Sequence, residues 1–422
     1  MRVGLTVKSA VMQIILTVVS GPHSGQTFAF DQHDHFFVGR SKSAQFRLPE
    51  KDPYFSRMHF MVEMNPPACR LLDLGSRNGT HVNGKIVQTV DLTHGDVIQG
   101  GNTEIRVTLQ DGQNDDAPET LAQPSTVKEF GLPSSESQPD SIDTVDWRPP
   151  GYEIGAILGK GGMGIVYQAK RKSDGADVAI KMIRPAVAGS EADYLRFRRE
   201  IEILRQLNHA AIVLFLDAGD VSGLLFFVME FVNGADAKVW VERRPKPLAV
   251  PVAVKIISRV LDALEHAHQR GFVHRDVKPS NILICQDGKK LDVKLTDFGL
   301  ARAYQDSKLS GLTLTGGICG TPRYMAPEQI TDARRVQPAS DQYSAAATLY
   351  WLLTQKNTHD FDDRMHVGLQ QILTQEPVPI RSRRPDVPEN LAAAILQALS
   401  KDPAARFDSA AAFRDALRKS LT

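Results

Sequence analysis

The chain is poor in cysteine, in long apolar runs and in net charge, and each shortage removes a class of protein. Only three cysteines occur in 422 residues: Cys69, Cys285 and Cys319. They are odd in number and far apart. They therefore offer neither a disulfide framework nor a metal-ligand spacing, and a reducing compartment is expected. No apolar run reaches the roughly 18 residues that cross a bilayer. The nearest candidate, Val11 to Val19, follows Arg2 and Lys8 and could pass for a signal-peptide core. Gln13 and Thr17 interrupt it and Gly21-Pro22 follows at once, so a strand entering a turn is the better reading. Fifty Lys and Arg against 49 Asp and Glu leave a formal charge of +1. That excludes a whole-chain field drawn to nucleic acid or to an anionic membrane.

What is present has the balance of a soluble globular protein, 42% hydrophobic and 23% charged. The length calls for two or three domains. After a tail over residues 1–12, residues 13–110 read as all-β. Short apolar stretches cover Ile14–Val19, Gln26–Phe30, Phe36–Val38, Phe46–Leu48, His59–Glu63, Arg70–Leu74, Ile86–Val90 and Ile105–Leu109. Turn residues separate many of them and no helical period intervenes, which predicts a β-sandwich. His33, Asp34 and His35 lack a third partner at ligand spacing, so they are expected to decorate a turn rather than hold a metal. Residues 111–150 change character: Asp, Gln, Pro, Ser, Glu and Thr dominate. Such a stretch cannot bury enough apolar surface to offset ordering entropy and is expected to be a flexible linker ending at Trp147-Arg148-Pro149-Pro150.

The remainder, residues 151–418, is organised around His274-Arg275-Asp276-Val277-Lys278-Pro279-Ser280-Asn281 and, sixteen residues past Asn281, Asp297-Phe298-Gly299. Phosphoryl transfer asks a protein for in-line positioning and charge compensation more than for covalent chemistry. These residue types supply both. Asp276 can accept a hydroxyl proton, Lys278 can neutralise charge on the transferred group, and Asn281 and Asp297 offer hard oxygens to Mg²⁺. Upstream, Gly159-Lys160-Gly161-Gly162-Met163-Gly164-Ile165-Val166 fits G-x-G-x-x-G-x-V. Dinucleotide-binding folds use such glycines too, but there they lead into a helix. Here Ile165-Val166-Tyr167-Gln168-Ala169 continues as a strand. Val178-Ala179-Ile180-Lys181 follows as another strand, and Ser190 to Leu207 has helical character.

In this ordered set the second part of the chain resembles a eukaryotic-type protein kinase of the Ser/Thr branch, in a form closer to bacterial members. The resemblance implies a bilobal α+β fold, with a small lobe over about 151–232 and a large lobe over about 233–418. It implies ATP as phosphate donor with Mg²⁺, or Mn²⁺ in its place. Leu158, Gly159, Gly161, Gly164, Val166 and Ala179 would line the nucleotide. Lys181 would hold the α- and β-phosphates, positioned by Glu200, with Glu202 as the local alternative. Met229 would be the gatekeeper, Glu230 and Val232 would meet adenine, and Asp236 would meet the ribose. Lys278, two residues past the catalytic aspartate, and Thr321 favour Ser/Thr substrates.

The activation segment would run from Asp297 to Glu328. Phosphorylation of Thr313 or Thr315, with Ser310 nearby, would give Arg275 an anion to pair with. Cys319 falls in this segment and is expected to be a plain small residue. Asp341 would brace the catalytic loop, and Arg406 would pair with Glu328.

The β-rich part carries its own set: Gly39-Arg40-Ser41, Ser56-Arg57-Met58-His59, Asp73-Leu74-Gly75-Ser76-Arg77-Asn78-Gly79-Thr80, Val82-Asn83-Gly84 and His94-Gly95-Asp96-Val97-Ile98. It resembles a forkhead-associated (FHA) domain, whose loops bind phosphothreonine peptides. Arg40 and Arg57 would grip the phosphate, Ser56 would donate a hydroxyl, Asn78 would bond the peptide backbone, and His59 would brace the loops. Expected partners are protein substrates and phosphothreonine peptides, with self-association through the chain's own phosphorylated segment, and neither nucleic acid nor membrane. Many kinases of this kind carry a membrane helix after the catalytic domain; none follows here, so a cytoplasmic location is expected. The competing reading is a catalytically dead scaffold. Its usual signature is loss of the strand lysine or of either aspartate, and Lys181, Asp276 and Asp297 are all in place.

Overall fold

The computed structural model describes residues 13–31, 34–41, 44–49, 54–110, 147–161, 164–183, 201, 204–221, 224–244, 246–288, 290–298, 323–331, 336–361 and 365–421. The amino-terminal part is a sandwich of eleven strands: β1 (Gln13–Ser20), β2 (Thr27–Phe30), β3 (Asp34–Gly39), β4 (Phe46–Arg47), β5 (Phe60–Asn65), β6 (Ala68–Asp73), β7 (Thr80–Val82), β8 (Lys85–Val87), β9 (Thr89–Leu92), β10 (Val97–Gly100) and β11 (Thr103–Gln110). They form a six-stranded sheet, ordered β2-β1-β11-β10-β7-β8, and a five-stranded sheet, ordered β4-β3-β5-β6-β9. Side chains alternate across a strand, so Ile14, Leu16 and Val18 of β1 point into one core with Phe36, Val38, Phe60, Val62 and Leu71 from the facing sheet.

The stretch expected as one strand over Ile86–Val90 divides at Gln88. Strand β8 belongs to the first sheet and β9 to the second, and the Gln88 carbonyl accepts from Asp73 N at the changeover. The expected turn at His33–His35 is also corrected. Asp34 and His35 lie on β3, opposite Met64 and Glu63. His35 is buried, with Nε2 4.0 Å from Glu63 Oε1. Burial beside a carboxylate on the neighbouring strand suits a histidine that no turn would shield.

The second part has the two lobes expected. In the small lobe β12 (Tyr152–Gly161), β13 (Gly164–Arg171), β14 (Asp177–Ile183), β15 (Phe215–Val221) and β16 (Leu224–Glu230) form an antiparallel sheet ordered β12-β13-β14-β16-β15. Trp147 is 8% exposed and joins the core of this sheet, its ring 5.8 Å from Tyr167 and 5.7 Å from Phe226. Trp147 is thus packed into the small lobe although it lies inside the stretch expected to be linker; residues 111–146 lie outside the described ones.

The large lobe adds β17 (Ala235–Asp236), β18 (Ile282–Asp287) and β19 (Lys290–Leu295) as a small sheet. Its helices are α1 (Ala237–Glu242), α2 (Val250–His268), α3 (Pro327–Thr331), α4 (Pro338–Thr354), α5 (Met365–Thr374), α6 (Ile380–Arg383), α7 (Glu389–Ala398) and α8 (Ala410–Lys419). Helix α4 is buried on all sides from Ser340 to Leu353. It is the axis of the lobe, as a helix without a polar face must be. Helices α2, α7 and α8 pack around it. Among the described residues no helix is long and apolar enough to cross a membrane.

Candidate active site

The catalytic loop is held from behind by one carboxylate. Asp341 enters at the amino end of α4 and is fully buried. Its Oδ2 accepts from His274 N at 2.8 Å and its Oδ1 from Arg275 N at 2.8 Å. The Oδ2 atom also meets His268 Nε2 at 2.8 Å. These bonds fix Arg275 in the left-handed region, at φ 68°. Such a conformation is uncommon for a side-chain-bearing residue and persists only where the surroundings impose it. The His274 ring completes the brace. Its Nδ1 accepts from Asp276 N at 3.2 Å, which leaves Nε2 to donate to Thr296 O at 2.9 Å. The ring also packs edge-on against Phe298 at 4.5 Å between centroids.

On this frame Asp276, Lys278 and Asn281 converge. Lys278 Nζ lies 2.8 Å from Asp276 Oδ2. Asn281, on a short 3₁₀ turn over Pro279–Asn281, donates its amide nitrogen to Asp276 O at 2.8 Å and to Asp276 Oδ2 at 3.0 Å. Both bonds use the amide nitrogen, so the amide oxygen is the atom free to ligate a cation. Lys181 Nζ donates to Asp297 Oδ1 at 2.8 Å. Asp297 is the second left-handed non-glycine residue of the site, at φ 66°. Burial pushes its carboxyl up, but Lys181 opposes this as charge and as donor, and the net position is below the ordinary carboxylate range. An ionised Asp297 and the Asn281 oxygen are hard donors of the kind Mg²⁺ takes, so the residues present fit that ion.

The roof over this centre is the β12–β13 hairpin. Gly164 is the glycine it cannot exchange, because an added Cβ would lie 1.9 Å from Met182 O. Val166 pairs with Lys181 across β13 and β14, and Ala179 pairs with Met229 across β14 and β16. That register sets Val166, Ala179 and Lys181 above the cleft. Met229, Thr296, Asp297 and Phe298 line a small apolar cavity behind it, with Leu204, Leu207 and Phe227. Below lies an open cleft of about 600 Å³, lined by Asp276, Lys278, Arg275, Arg323, Tyr324 and neighbours.

At the sandwich's loop end the second set of residues comes together. Gly39 lets the β3 chain pass Arg57; a Cβ there would lie 2.3 Å from Arg57 O. Arg40 Nε donates to Phe55 O. Ser56 Oγ accepts from Arg77 N at 3.0 Å, and Asn78 Nδ2 donates to Tyr54 O at 3.0 Å. Arg57 and Asn78 are exposed. His59 is fully buried beneath them; Nδ1 accepts from Ser56 N at 3.2 Å and Nε2 faces Gly79 O at 3.3 Å, so one ring ties two loops. Asn83 (φ 51°) and Gly84 (φ 77°) form the two-residue turn from β7 to β8.

These two constellations match known domains. The protein kinase domain family matches residues 152–417, well over half of the chain. The chain belongs to the protein kinase family. The FHA domain family matches residues 36–101. Serine/threonine-protein kinase PknB of Mycolicibacterium smegmatis is 39% identical over 267 residues, 62% of this chain and 42% of that protein. Serine/threonine-protein kinase pkn3 of Myxococcus xanthus is 38% identical over 273 residues, 63% of this chain and 49% of that protein. The chain thus spans less than half the length of either relative. Among solved structures, the kinase domain of Mycobacterium tuberculosis PknI aligns with a TM-score of 0.52 at 30% identity, covering 64% of this chain and 96% of that domain.

Other kinase positions fall as follows. Glu328 and Arg406 make the expected pair, with Arg406 Nη2 donating to Glu328 Oε2 at 2.8 Å. Glu230 closes β16, and its side chain accepts from Leu214 N at 2.7 Å and meets Lys294 Nζ at 2.7 Å. Asp236 caps helix α1, its Oδ1 accepting from Val239 N at 2.9 Å. This gives that carboxylate a structural use that its place in the hinge did not reveal. Leu158 is 47% exposed on the hairpin. Glu200, Glu202, Ser310, Thr313, Thr315, Cys319 and Thr321 lie outside the described residues.

Sequence reasoning had no signal for the His268–Asp341 contact, for the Gln329 Nε2 bond to Arg275 O at 2.7 Å, or for the left-handed backbone at Arg275 and Asp297. Each depends on chain segments far apart in sequence.

The Asp341 carboxyl is raised by burial but lowered more by the bond and charge of His268 and by the His274 amide, so its pKa ends below the ordinary 3.8. The folded state then binds fewer protons than the unfolded state. This stabilisation is complete above the unfolded pKa and drains away as pH falls toward the folded value. Asp341→Asn should cost about 3 kcal/mol near neutral pH in urea unfolding, since it leaves buried donors facing an amide. The gap from the parent protein should narrow as pH drops through the carboxyl range. A gap that stays constant with pH would contradict this role.

Proposed function

We propose that the chain transfers the γ-phosphate of ATP to serine and threonine hydroxyls of proteins, and that its FHA domain binds phosphothreonine peptides. The observation that carries the first part is the pair of bonded groups at one centre, Asp276 with Lys278 and Asn281, and Asp297 with Lys181. Lys278 and Asn281 both meet the Asp276 carboxylate at Oδ2. Oδ1 is therefore assigned to the substrate hydroxyl, whose proton it accepts as the oxygen attacks. Lys278 stands beside that carboxylate, where it meets the charge developing on the transferred group. Lys181 would grip the non-transferred phosphates and Asp297 would hold the cation.

Mg²⁺, or Mn²⁺ in its place, held by Asn281 and Asp297 would draw charge from the phosphate oxygens. The open cleft lined by Arg275, Arg323 and Tyr324 is where a protein segment would lie. Autophosphorylation at Thr313 or Thr315, ordering the activation segment through Arg275, belongs to the same proposal. So does a cytoplasmic location.

The exposed Arg57 and Asn78, with Arg40 and Ser56 beside them, support phosphothreonine binding through charge-assisted forks to the phosphate. A tether between a module that makes phosphothreonine and one that binds it raises the effective concentration to about the millimolar range. Substrate recruitment and binding of the chain's own phosphorylated segment both follow.

Asp276→Asn should lower transfer of labelled γ-phosphate to a generic protein about a thousandfold while nucleotide binding persists; retained transfer would refute the assignment. Arg40→Ala should weaken a phosphothreonine peptide roughly thirtyfold, about 2 kcal/mol, in a titration that leaves peptide turnover untouched. Unchanged affinity would remove Arg40 from the site. The double variant Thr313→Ala, Thr315→Ala should fail to gain activity on preincubation with ATP. Full activity in that variant would end the activation proposal.

A further inference from the structure

The outer face of one FHA sheet carries an apolar rung that is buried like the inner face. All six residues of β5 are buried, although a two-layer sandwich covers only one face of each sheet. Phe37, Met61 and Leu72 are cross-strand partners on β3, β5 and β6, and they form one rung across the outside of the sheet. They are 0%, 0% and 4% exposed. What covers them is the kinase large lobe: Ile330 of α3 with Leu369 and Ile372 of α5, in one cluster. Gln45 adds a polar tie, donating to Thr331 O at the end of α3 while its Oε1 accepts from Phe37 N at 2.9 Å.

We propose that this rung is a docking face that holds the FHA sandwich against the large lobe of its own chain, and that docking braces the three loops assigned to phosphothreonine. Each loop runs directly into the contact. The loop after Arg40 continues through the buried Ala44 to Gln45, and the Ser56-Arg57 loop continues into Met58; Ala44 and Met58 both belong to the shared cluster. The loop bearing Asn78 begins at Leu74, in the same cluster, and a Cβ on Gly75 would lie 3.2 Å from Gln370 Oε1 of α5. Arg57 and Asn78 stay exposed, so the docked form keeps the site open.

On the other side α3 starts at the end of the expected activation segment and bonds the catalytic loop through Gln329. Occupation of the loops and the state of the catalytic loop therefore share a physical path, and any coupling must act in both directions. The identity of the loops' ligand rests on the function proposed above; the docking does not.

Amide hydrogen exchange on the full chain tests this without any ligand. Met61→Asp should speed exchange in α3 and α5 by roughly tenfold or more. Leu369→Asp, a change in the other domain, should do the same for residues 39–45, 56–58 and 73–78. Retained protection of β1 and β11 and retained phosphate transfer show that both domains remain folded. Should an aspartate variant unfold its own domain, Gln45→Ala decides the matter, through faster exchange of α3. Unchanged exchange in the opposite domain would overturn the docking. Loops that stay protected in Leu369→Asp would overturn the bracing. Protection lost on dilution of the parent protein would show that the contact joins different copies, and would overturn docking within one chain. A phosphothreonine peptide that fails to bind would sink the ligand assignment and leave these results standing.

Discussion

The catalytic centre depends on a single buried carboxylate. Asp341 takes two consecutive backbone amides and one imidazole, and in doing so holds Arg275 in a conformation that the residue would not choose. A buried charge is stable only when its lone pairs are met. Here the donors that meet it belong to the loop bearing Asp276. The cost of burying Asp341 and the strain at Arg275 are thus met by the same bonds, and the result is a rigid platform for Asp276. Asp297, also left-handed, is held in turn by Lys181 from the opposite lobe. Positioning is most of what phosphoryl transfer requires of a protein, and two left-handed residues, Arg275 and Asp297, sit where positioning counts.

Much of this was legible in the order of short motifs. His274–Asn281, Asp297-Phe298-Gly299 and the glycine hairpin each constrain only local chemistry, but their sequence order leaves one fold that uses all of them. The β-sandwich was legible from alternation, since Ile14, Leu16 and Val18 bury on one face as a period of two requires. What sequence could not show was where a continuous apolar-looking stretch changes sheets. Ile86–Val90 reads as one strand, yet its two ends pair with different sheets. Pairing is a long-range choice with no local mark. The same limit explains Trp147, whose flanking prolines look like linker although its ring fills the small-lobe core.

The relation between the domains was also hidden. A strand buried on both faces looks, in sequence, like any strand of a thick core. Only the fold shows that β5 has an FHA interior on one side and α3 and α5 on the other. The sandwich is then more than a module on a tether. The loops bearing Arg40, Ser56 and Asn78 run into the kinase-facing cluster at Ala44, Met58 and Leu74, so the geometry joins those loops to α3.

The account stands on the claim that the groups gathered around Asp276 and Asp297 move a phosphoryl group onto aliphatic hydroxyls. Mass-spectrometric mapping of the purified chain after incubation with ATP and Mg²⁺ tests this most directly. Phosphoserine or phosphothreonine on the chain itself, within the stretch between Asp297 and Glu328, is the expected result. A folded, nucleotide-binding protein that carries no phosphate afterwards, or phosphate only on tyrosine, would contradict it.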